Sequence, residues 1–218
     1  MPEIVNPRIE QYLRRLQDAQ GGMPGPADPV RREMEALAEK RRFPIVGPLV
    51  GRKLVLLSRT IGARRVFELG SGYGYSALHF AHGVGEEGVV HCTDLSQENV
   101  TLARDFLGRA GVWDRITYHR EDAVGALERV GGTWDVIYND IDKDGYPETV
   151  DLAHARLRPG GLFITDNVLW SGRVLPGEDD KSPATHGVLE FTRRLYAHAG
   201  FVVTIDPTRD GVAVALRL

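Results

Sequence analysis

Residues 65–76 read Arg-Val-Phe-Glu-Leu-Gly-Ser-Gly-Tyr-Gly-Tyr-Ser, an apolar strand that runs directly into a glycine-rich loop. Glycine lets the main chain turn sharply and lets a ligand approach it closely. The dinucleotide fingerprint requires Gly-x-Gly-x-x-Gly. Here the spacing is Gly-x-Gly-x-Gly, and Tyr75 stands where the third glycine should be. The stretch therefore predicts a strand–loop–helix unit that binds a nucleotide cofactor, but it departs from the dinucleotide pattern.

Apolar strands and helices alternate on the C-terminal side of this loop. The predicted strands are 65–69, 88–93, 116–120, 134–138 and 161–165. The predicted helices between them are 75–82, 97–111, 123–130 and 147–157. This alternation implies a parallel sheet with right-handed crossovers. A last helix at 185–199 precedes two strands, 201–205 and 212–217, that form a hairpin. The predicted fold is α/β, a Rossmann-like doubly wound sheet, mostly parallel with a C-terminal antiparallel hairpin.

The residues on the N-terminal side of the loop predict helices. Apolar residues recur at helical spacing at Ile9, Tyr12, Leu13 and Leu16. Two further helices are predicted at 29–42 and 48–60. At 218 residues the chain is long enough for one domain with a large core. We therefore expect a single domain, with residues 1–60 as a helical extension and residues 61–218 as the core.

Composition and charge exclude several classes of protein. The net charge is −3, so no global basic field indicates a nucleic-acid partner, although the helix at 29–42 is rich in Arg and Lys. The single cysteine, Cys92, excludes a disulfide scaffold and a cysteine-based zinc site, and a buried, inert thiol is expected. The first twenty residues lack an apolar signal core, and no stretch is long enough to span a bilayer. The expectation is a cytoplasmic protein without a membrane partner.

Acidic residues follow three successive strands of the predicted sheet. Glu68 comes two residues before Gly70, where it would repel a pyrophosphate but suit a cationic amino group. Asp94 ends the second strand, where a carboxylate can accept both ribose hydroxyls, and Asp122 ends the third, near an adenine edge. These residues therefore suit a nucleoside that carries an ammonium group, and S-adenosylmethionine is such a cofactor. Both Asp94 and Asp122 also suit helix caps, and the two roles are compatible.

The fourth and fifth strands end in a second set of polar residues. Asp140 follows one, and Asp166 and Asn167 follow the other. Two carboxylates and an amide at neighbouring strand ends offer three oxygens to a hard cation such as Mg²⁺. Lys143 stands three residues after Asp140, where it can take a proton. A metal site beside a lysine indicates chemistry on an oxygen nucleophile, although solvated loop carboxylates and a surface lysine are the plain alternative.

Six segments together resemble one known family. They are Phe43-Pro44-Ile45, the loop from Glu68 to Ser76, Asp140-x-Asp142-Lys143-x-x-Tyr146, Arg158-Pro159-Gly160-Gly161, Asp166-Asn167-Val168-Leu169-Trp170-x-Gly172-x-Val174 and Asp210-Gly211. The chain resembles, over nearly its whole length, the metal-dependent class I O-methyltransferases: catechol and caffeoyl-CoA O-methyltransferases and their small bacterial relatives. Asn139 and Gly145 depart from the family pattern, but neither is a ligand position.

The resemblance implies a role for each matching residue. Asp140, Asp166 and Asn167 would hold Mg²⁺ or another divalent ion such as Mn²⁺ or Ca²⁺, and Lys143 would be the catalytic residue beside the acceptor hydroxyl. The residues implied to hold S-adenosylmethionine are Val46, Glu68, Gly70, Ser71, Ser76, Asp94, Asp122, Ala123, Asp140 and Asp142. Trp170 and Ser171 fall where relatives contact their acceptor, although Trp170 also suits a plain core or lid aromatic.

The predicted reaction is methyl transfer from S-adenosylmethionine to a hydroxyl of a catechol-like aromatic acceptor. Within the same family, the basic helix also fits enzymes that methylate a hydroxylated uridine in transfer RNA, so a tRNA partner stays open. A nicotinamide-dependent oxidoreductase and a non-catalytic cofactor-binding protein are more distant alternatives. Because the family often dimerises and the N-terminal helices offer apolar surface, we expect a homodimer.

Overall fold

The computed structural model describes residues 6–25 and 27–218. Three helices come first in the chain: α1 (Pro7–Gln20), α2 (Ala27–Arg41) and α3 (Gly47–Thr60). The alternating part contains β1 (Arg65–Leu69), α4 (Tyr75–Val84), β2 (Val89–Thr93), α5 (Gln97–Arg109), β3 (Ile116–His119), α6 (Ala123–Val130), β4 (Trp134–Asn139), α7 (Thr149–Arg156) and β5 (Leu157–Thr165). The chain ends with α8 (Pro183–Ala197), β6 (Phe201–Asp206) and β7 (Val212–Arg217).

All seven strands belong to one sheet, in the order β3-β2-β1-β4-β5-β7-β6. The pairs among β1 to β5 are parallel, whereas β7 runs antiparallel to β5 and to β6. The strand order reverses at β1, next to β4, and ligands bind at such a switch point in open α/β sheets. The predicted mostly parallel sheet with a C-terminal hairpin is confirmed.

Both faces of the sheet are covered by helices, which makes it doubly wound. One core packs α2 to α5 against the sheet, with Met34, Leu54, Leu78 and Leu107 among its buried residues. The other packs α6 to α8 on the opposite face, with Phe191 at its centre. Each large apolar side chain buried in this way contributes roughly 1.5–3 kcal/mol to folding.

Helix α1 forms as predicted, but its apolar stripe does not pack against the rest of the chain. It begins at Asn6, whose side chain accepts a hydrogen bond from the Arg8 amide at 2.9 Å. Ile9, Tyr12, Leu13 and Leu16 remain 40–58% exposed. Among the described residues, no helix is both long enough and apolar enough to cross a membrane.

Most predicted boundaries lie within two residues of those in the structure, and two differences concern β5 and the helix before it. The Pro-Gly-Gly segment at 159–161, which is typical of a turn, lies inside β5, which begins at Leu157 rather than at the predicted 161 and has an irregular register against Trp134 and Val136 of β4. The helix predicted from 147 begins at Thr149, after a 3₁₀ turn over Lys143–Glu148. The first two residues of the predicted helix, Pro147 and Glu148, therefore belong to the 3₁₀ turn.

Candidate functional site

A cavity of about 1160 Å³ opens at the carboxyl edge of the parallel strands. Its lining comes from the loops after β1, β2, β3, β4 and β5, from the segment before α3 and from the start of α8. The predicted site residues that line it are Val46, Gly70, Ser71, Ser76, Asp94, Asp122, Ala123, Asp140, Asp142, Lys143, Asp166, Asn167 and Trp170. The structure therefore brings nearly all of the predicted cofactor, metal and acceptor residues to one site.

The glycine loop is held against the end of β2 by Thr93. The Thr93 hydroxyl accepts a hydrogen bond from the Gly70 amide at 3.0 Å and donates one to the Glu68 carbonyl at 2.9 Å. The Thr93 carbonyl accepts another from the Ser71 amide at 2.8 Å. The sequence interpretation missed Thr93, and its position directly before Asp94 was the only signal for it.

Glu68 is fully buried at the end of β1, and neither of its carboxylate oxygens makes a hydrogen bond of normal geometry. Burial raises the pKa of Glu68 to about 7, whereas the nearby Ser71 and Ser76 hydroxyls oppose this rise. Ser71 and Ser76 line the cavity, but Glu68 itself lies behind the surface. A buried carboxylate without a partner is costly, and a cationic ligand group beside it would relieve that cost.

Asp122 caps a helix and Asp94 holds the turn before α5, and both residues line the cavity. Asp94 accepts hydrogen bonds from the Ser96 amide at 2.7 Å and from the Asn99 side chain at 3.1 Å. Asp122 is the N-cap of α6 and accepts from the Gly125 amide at 2.7 Å. A carboxylate has about four acceptor sites, so the two hydrogen bonds from Ser96 and Asn99 leave Asp94 able to accept further hydrogen bonds from a ligand.

Asp140 and Asp166 directly follow the neighbouring strands β4 and β5, and burial affects both carboxyls. Burial raises the pKa of Asp166, and the charge of Asp140 adds to this effect. Burial also raises the pKa of Asp140, whereas Lys143 lowers it. Asn167, which follows Asp166, adopts a left-handed backbone with φ of 57°, a conformation that asparagine accepts more readily than most residues.

No group of three or more His, Cys, Asp or Glu side chains suited to a metal is found in the part of the chain that the structure describes. The predicted set contains two carboxylates and one amide, so only two of its members are side chains of these four types. His79 is buried, and neither of its ring nitrogens has a hydrogen-bond partner among the described residues. Cys92 is buried, as predicted, and burial raises the pKa of its thiol.

Lys143 is fixed by three hydrogen bonds in the 3₁₀ turn after β4. Its Nζ donates to Asp140 Oδ1 at 2.9 Å, to the Ile141 carbonyl at 3.2 Å and to the Tyr146 hydroxyl at 2.8 Å. Tyr146 is fully buried, and its hydroxyl donates to the Asp166 carbonyl at 3.0 Å. Tyr146 therefore links the loop that carries Lys143 to the loop that carries Asp166. The motif includes Tyr146, but its role becomes visible only in the folded chain.

Trp170 lines the cavity near Lys143, whereas Ser171 does not. The Lys143 Nζ lies 5.8 Å from the centre of the Trp170 ring. The Ser171 amide donates to the Asp210 carboxylate, so Ser171 ties the loop after β5 to the terminal hairpin. Ser171 is not among the residues that line the cavity, and its contact with an acceptor stays a prediction.

Arg209 is a further residue that the sequence interpretation missed. Its guanidinium donates to the Ile45 carbonyl at 2.9 Å, and this bond ties the segment before α3 to the hairpin between β6 and β7. Ile45 and Val46 form one wall of the cavity. No local pattern marks Arg209, because its partner lies 164 positions away in the chain.

Comparisons with known proteins agree with this arrangement. The sequence model of the O-methyltransferase family matches residues 33–218. A catechol O-methyltransferase of Niastella koreensis is 30% identical over 180 residues, which cover 78% of this chain and 81% of that protein. Caffeoyl-CoA O-methyltransferase 1 of Eucalyptus globulus is 29% identical over 180 residues, which cover 77% of this chain and 72% of that protein.

The crystal structure of an O-methyltransferase from Bacillus cereus in complex with SAH superposes with a TM-score of 0.84. It is 26% identical, and the alignment covers 97% of each chain. The cavity here fits the corresponding cofactor, because Glu68 supplies a partnerless buried carboxylate and the glycine loop leaves its main chain open to a ligand. The chain therefore belongs to the O-methyltransferase family and is an S-adenosylmethionine-dependent O-methyltransferase.

Proposed function

We propose that this enzyme methylates a hydroxyl on an aromatic ring with two vicinal hydroxyls, and that it needs a divalent metal ion. The observation that carries the proposal is the presence of Asp140, Lys143, Asp166, Asn167 and Trp170 in the lining of one cavity. This set joins oxygen ligands, a positioned amine and an aromatic wall. The names of the catechol and caffeoyl-CoA relatives support the same class of acceptor.

The donor set suits a hard divalent cation such as Mg²⁺. Carboxylate and amide oxygens are the ligands that such ions prefer, and Asp140, Asp166 and Asn167 offer three of them. Burial raises the pKa of both aspartates, which means that their negative charges are poorly compensated by the protein alone. A bound divalent ion would orient two ring hydroxyls and lower the pKa of a phenol, which is ~10 when unperturbed.

The residues that hold S-adenosylmethionine in this proposal surround the other part of the cavity. Glu68 would pair with the amino group, Asp94 would accept from the ribose hydroxyls, and Asp122 and Ala123 would border the adenine. The bound cofactor supplies an activated methyl group on its sulfonium. Alignment of the acceptor oxygen with that methyl group can contribute roughly 7–11 kcal/mol to the lowering of the barrier.

In the proposed reaction Lys143 first releases one of its three ammonium protons to solvent, and its neutral Nζ then takes the proton of the acceptor hydroxyl. Its three hydrogen bonds hold Nζ between the end of β4 and Tyr146, so its position is set before the acceptor arrives. Only 11% of its side chain is exposed, which limits the water that competes for the proton. A positioned base of this kind typically accelerates a reaction by ~10²–10⁴.

The charges around the cavity favour a small aromatic acceptor over transfer RNA. Arg31 of the basic helix α2 is buried and paired with Asp28 and Glu35, and Arg41 pairs with Glu98 at 2.5 Å. The carboxylates in the lining belong to Asp94, Glu121, Asp122, Asp140, Asp142, Asp144, Glu148 and Asp166. Lys143 is the one Lys or Arg that lines the cavity among the described residues. A polyanion would be repelled by such a lining.

Turnover of a panel of acceptors tests the proposal. Catechols, monophenols and transfer RNA are offered with labelled S-adenosylmethionine, before and after exhaustive chelation. We expect methyl transfer to catechols only, abolished by the chelator and restored by Mg²⁺, while cofactor affinity survives chelation. Full activity after chelation would refute the metal requirement, and labelling of RNA alone would refute the acceptor class.

The predicted homodimer is a separate proposal. The exposed stripe of Ile9, Tyr12, Leu13 and Leu16 supports it, since an amphipathic helix gains stability when its apolar face is covered. Light scattering after size-exclusion chromatography measures the mass directly. We expect a dimer for the wild type and a monomer for Leu13→Glu.

A further inference from the structure

We propose that Thr185 and Asp180 are positioning residues that fix the Trp170 ring as a wall of the cavity beside Lys143. Through this wall they determine how tightly an aromatic acceptor binds and which of its hydroxyls is methylated. The inference rests on the proposed function, because it assigns the part of the protein that orients that acceptor. Neither Thr185 nor Asp180 lines the cavity itself.

The hydroxyl of Thr185 is the centre of this arrangement. It accepts a hydrogen bond from the Trp170 indole nitrogen at 3.0 Å and another from the Ser182 hydroxyl at 3.2 Å, and it donates to Asp180 Oδ2 at 2.7 Å. A hydroxyl has one donor and two acceptor sites, so all three are used. Thr185 is only 1% exposed, and a buried group with all its partners in place has little freedom to rotate.

Asp180 holds Thr185 from the outer side. Its Oδ1 accepts from the Ser182 amide at 2.9 Å, and its Oδ2 lies 3.7 Å from Arg173 Nε. The guanidinium of Arg173 in turn lies over the Trp170 ring, 5.0 Å from its centre. The contacts thus run from the indole N–H through Thr185 and Asp180 and return to the ring through Arg173.

The main chain at Trp170 is fixed independently of its side chain. Trp170 and Ser171 have φ of 47° and 54°, and non-glycine residues keep such conformations only where their surroundings hold them. The Ser171 amide donates to the Asp210 carboxylate, and the Leu169 amide donates to the Asp210 carbonyl at 2.9 Å. With the backbone held by Asp210, the orientation of the ring depends on the contact between its indole nitrogen and Thr185.

A ring that is free to rotate would change the shape of the cavity next to the reacting groups. The Lys143 Nζ lies 5.8 Å from the centre of the Trp170 ring, so an aromatic acceptor that reaches Lys143 must lie close to this wall. Two vicinal hydroxyls differ only in which one faces the methyl donor. Misplacement of reactants by about 1 Å can lower a rate by about 10²-fold, so a fixed wall is able to select one hydroxyl.

Kinetics of three variants and a control test this proposal. Thr185→Val keeps the shape but removes the hydroxyl, Thr185→Ser keeps the hydroxyl, and Asp180→Ala removes the outer partner. Asp179→Ala is the matched control, because Asp179 pairs only with the exposed Lys181. In Thr185→Val and Asp180→Ala we expect the acceptor KM to rise about 5- to 20-fold, which is the effect expected from the loss of one hydrogen bond. The ratio of the two methylated isomers should shift, with cofactor affinity unchanged.

The serine variant and the control separate positioning from a general loss of structure. Thr185→Ser and Asp179→Ala should keep the wild-type KM and isomer ratio. Wild-type KM and isomer ratio in Thr185→Val, or equal losses in Thr185→Val and Thr185→Ser, would overturn the proposal.

A measurement without substrate keeps the inference separate from the proposed function. Protein labelled with 5-fluorotryptophan gives fluorine resonances for its three tryptophans, and Trp170→Phe assigns the one from Trp170. We expect this resonance to shift in Thr185→Val but not in Thr185→Ser or Asp179→Ala. If the wild type methylates no catechol, the proposed function fails, but this resonance still shows whether Thr185 fixes the ring. An identical Trp170 resonance in wild type and Thr185→Val contradicts the positioning role.

Discussion

A Cβ atom on Gly70 would lie 2.7 Å from the main-chain carbonyl oxygen of Asp140. The glycine loop after β1 and the loop after β4 therefore touch through their main chains, and the Asp140 amide donates to the Leu69 carbonyl at 2.9 Å beside this contact. The cofactor part of the cavity and the part that carries Asp140 and Lys143 share this contact. A change at Gly70 would affect both.

Gly70→Ala should weaken cofactor binding and destabilise the fold. Gly111→Ala is its control, because Gly111 has φ of 72°, also positive like the 83° of Gly70, but nothing lies within 4 Å of its Cβ position. Both variants lose roughly 1–2 kcal/mol to the left-handed backbone. Gly70→Ala should lose about 1–3 kcal/mol more from the clash with Asp140.

Urea unfolding and calorimetric titration with S-adenosylmethionine measure the two effects. Equal losses of unfolding free energy in Gly70→Ala and Gly111→Ala would show that the contact with Asp140 is unimportant.

The fold was predictable because its signals are local. Each strand of the parallel sheet is a short apolar run, and each is separated from the next by a helix with an apolar face, so the pattern fixes the order of elements. The exceptions lie where a local signal was misread. The glycines at 160 and 161 suggested a turn, but they occupy the first half of β5, where the register against β4 is irregular.

The candidate site was predictable where the residue stands at a strand end and not where its partner is distant in sequence. Asp94 and Asp140 follow strands, so the sheet places them at one edge. Thr93, Arg209 and Thr185 act through contacts that only the folded chain reveals. The hydroxyl of Thr185, for instance, meets the indole nitrogen of Trp170 from 15 positions away.

Asp94 offers a test of cofactor binding that separates its two roles. The Ser96 amide donates a hydrogen bond to Asp94 Oδ1 at 2.7 Å. Asp94→Asn keeps an oxygen for this bond but removes the negative charge. Asp94→Ala removes both. If the carboxylate accepts from the ribose, both variants should lose cofactor affinity, each by roughly 1.5–3 kcal/mol per lost charged hydrogen bond.

Asp94→Ala should lower the free energy of unfolding more than Asp94→Asn, because only Asp94→Ala removes the acceptor of the Ser96 amide. Calorimetric titration and urea unfolding of the two variants check this. Wild-type cofactor affinity in Asp94→Asn, with a loss only in Asp94→Ala, would mean that Asp94 holds the turn before α5 but does not bind the ribose.

Two substitutions of Lys143 distinguish a role in proton transfer from a role as a positive charge. If its Nζ takes the proton of the acceptor, Lys143→Met should lower kcat by about 10²–10⁴. Lys143→Arg should not restore it, because a guanidinium does not give up its proton under these conditions. Rapid-quench measurement of methyl transfer at saturating cofactor and Mg²⁺ reports the chemical step.

A near-normal rate in Lys143→Arg would assign a purely electrostatic role, and near-normal rates in both variants would remove Lys143 from the reaction. Lys181→Met is a suitable control, since Lys181 is exposed and pairs only with Asp179.

His79 predicts how stability depends on pH. The side chain is fully buried in α4, both of its ring nitrogens lack partners, and burial together with the charge of Arg31 lowers its pKa from 6.5 to about 3. The folded state therefore keeps His79 neutral between pH 6.5 and 3, whereas the unfolded chain binds a proton there, so stability falls as the pH falls through this window. Between pH 7.5 and 5.5 this linkage should cost about 1 kcal/mol of unfolding free energy. In His79→Leu, which cannot titrate, the loss between these two pH values should be smaller by that amount, whatever the substitution costs at either pH.

His186→Leu removes an exposed histidine and should leave the difference unchanged. Urea unfolding of the three proteins at both pH values measures this difference, and an equal pH dependence in wild type and His79→Leu would mean that folding does not lower the pKa of His79.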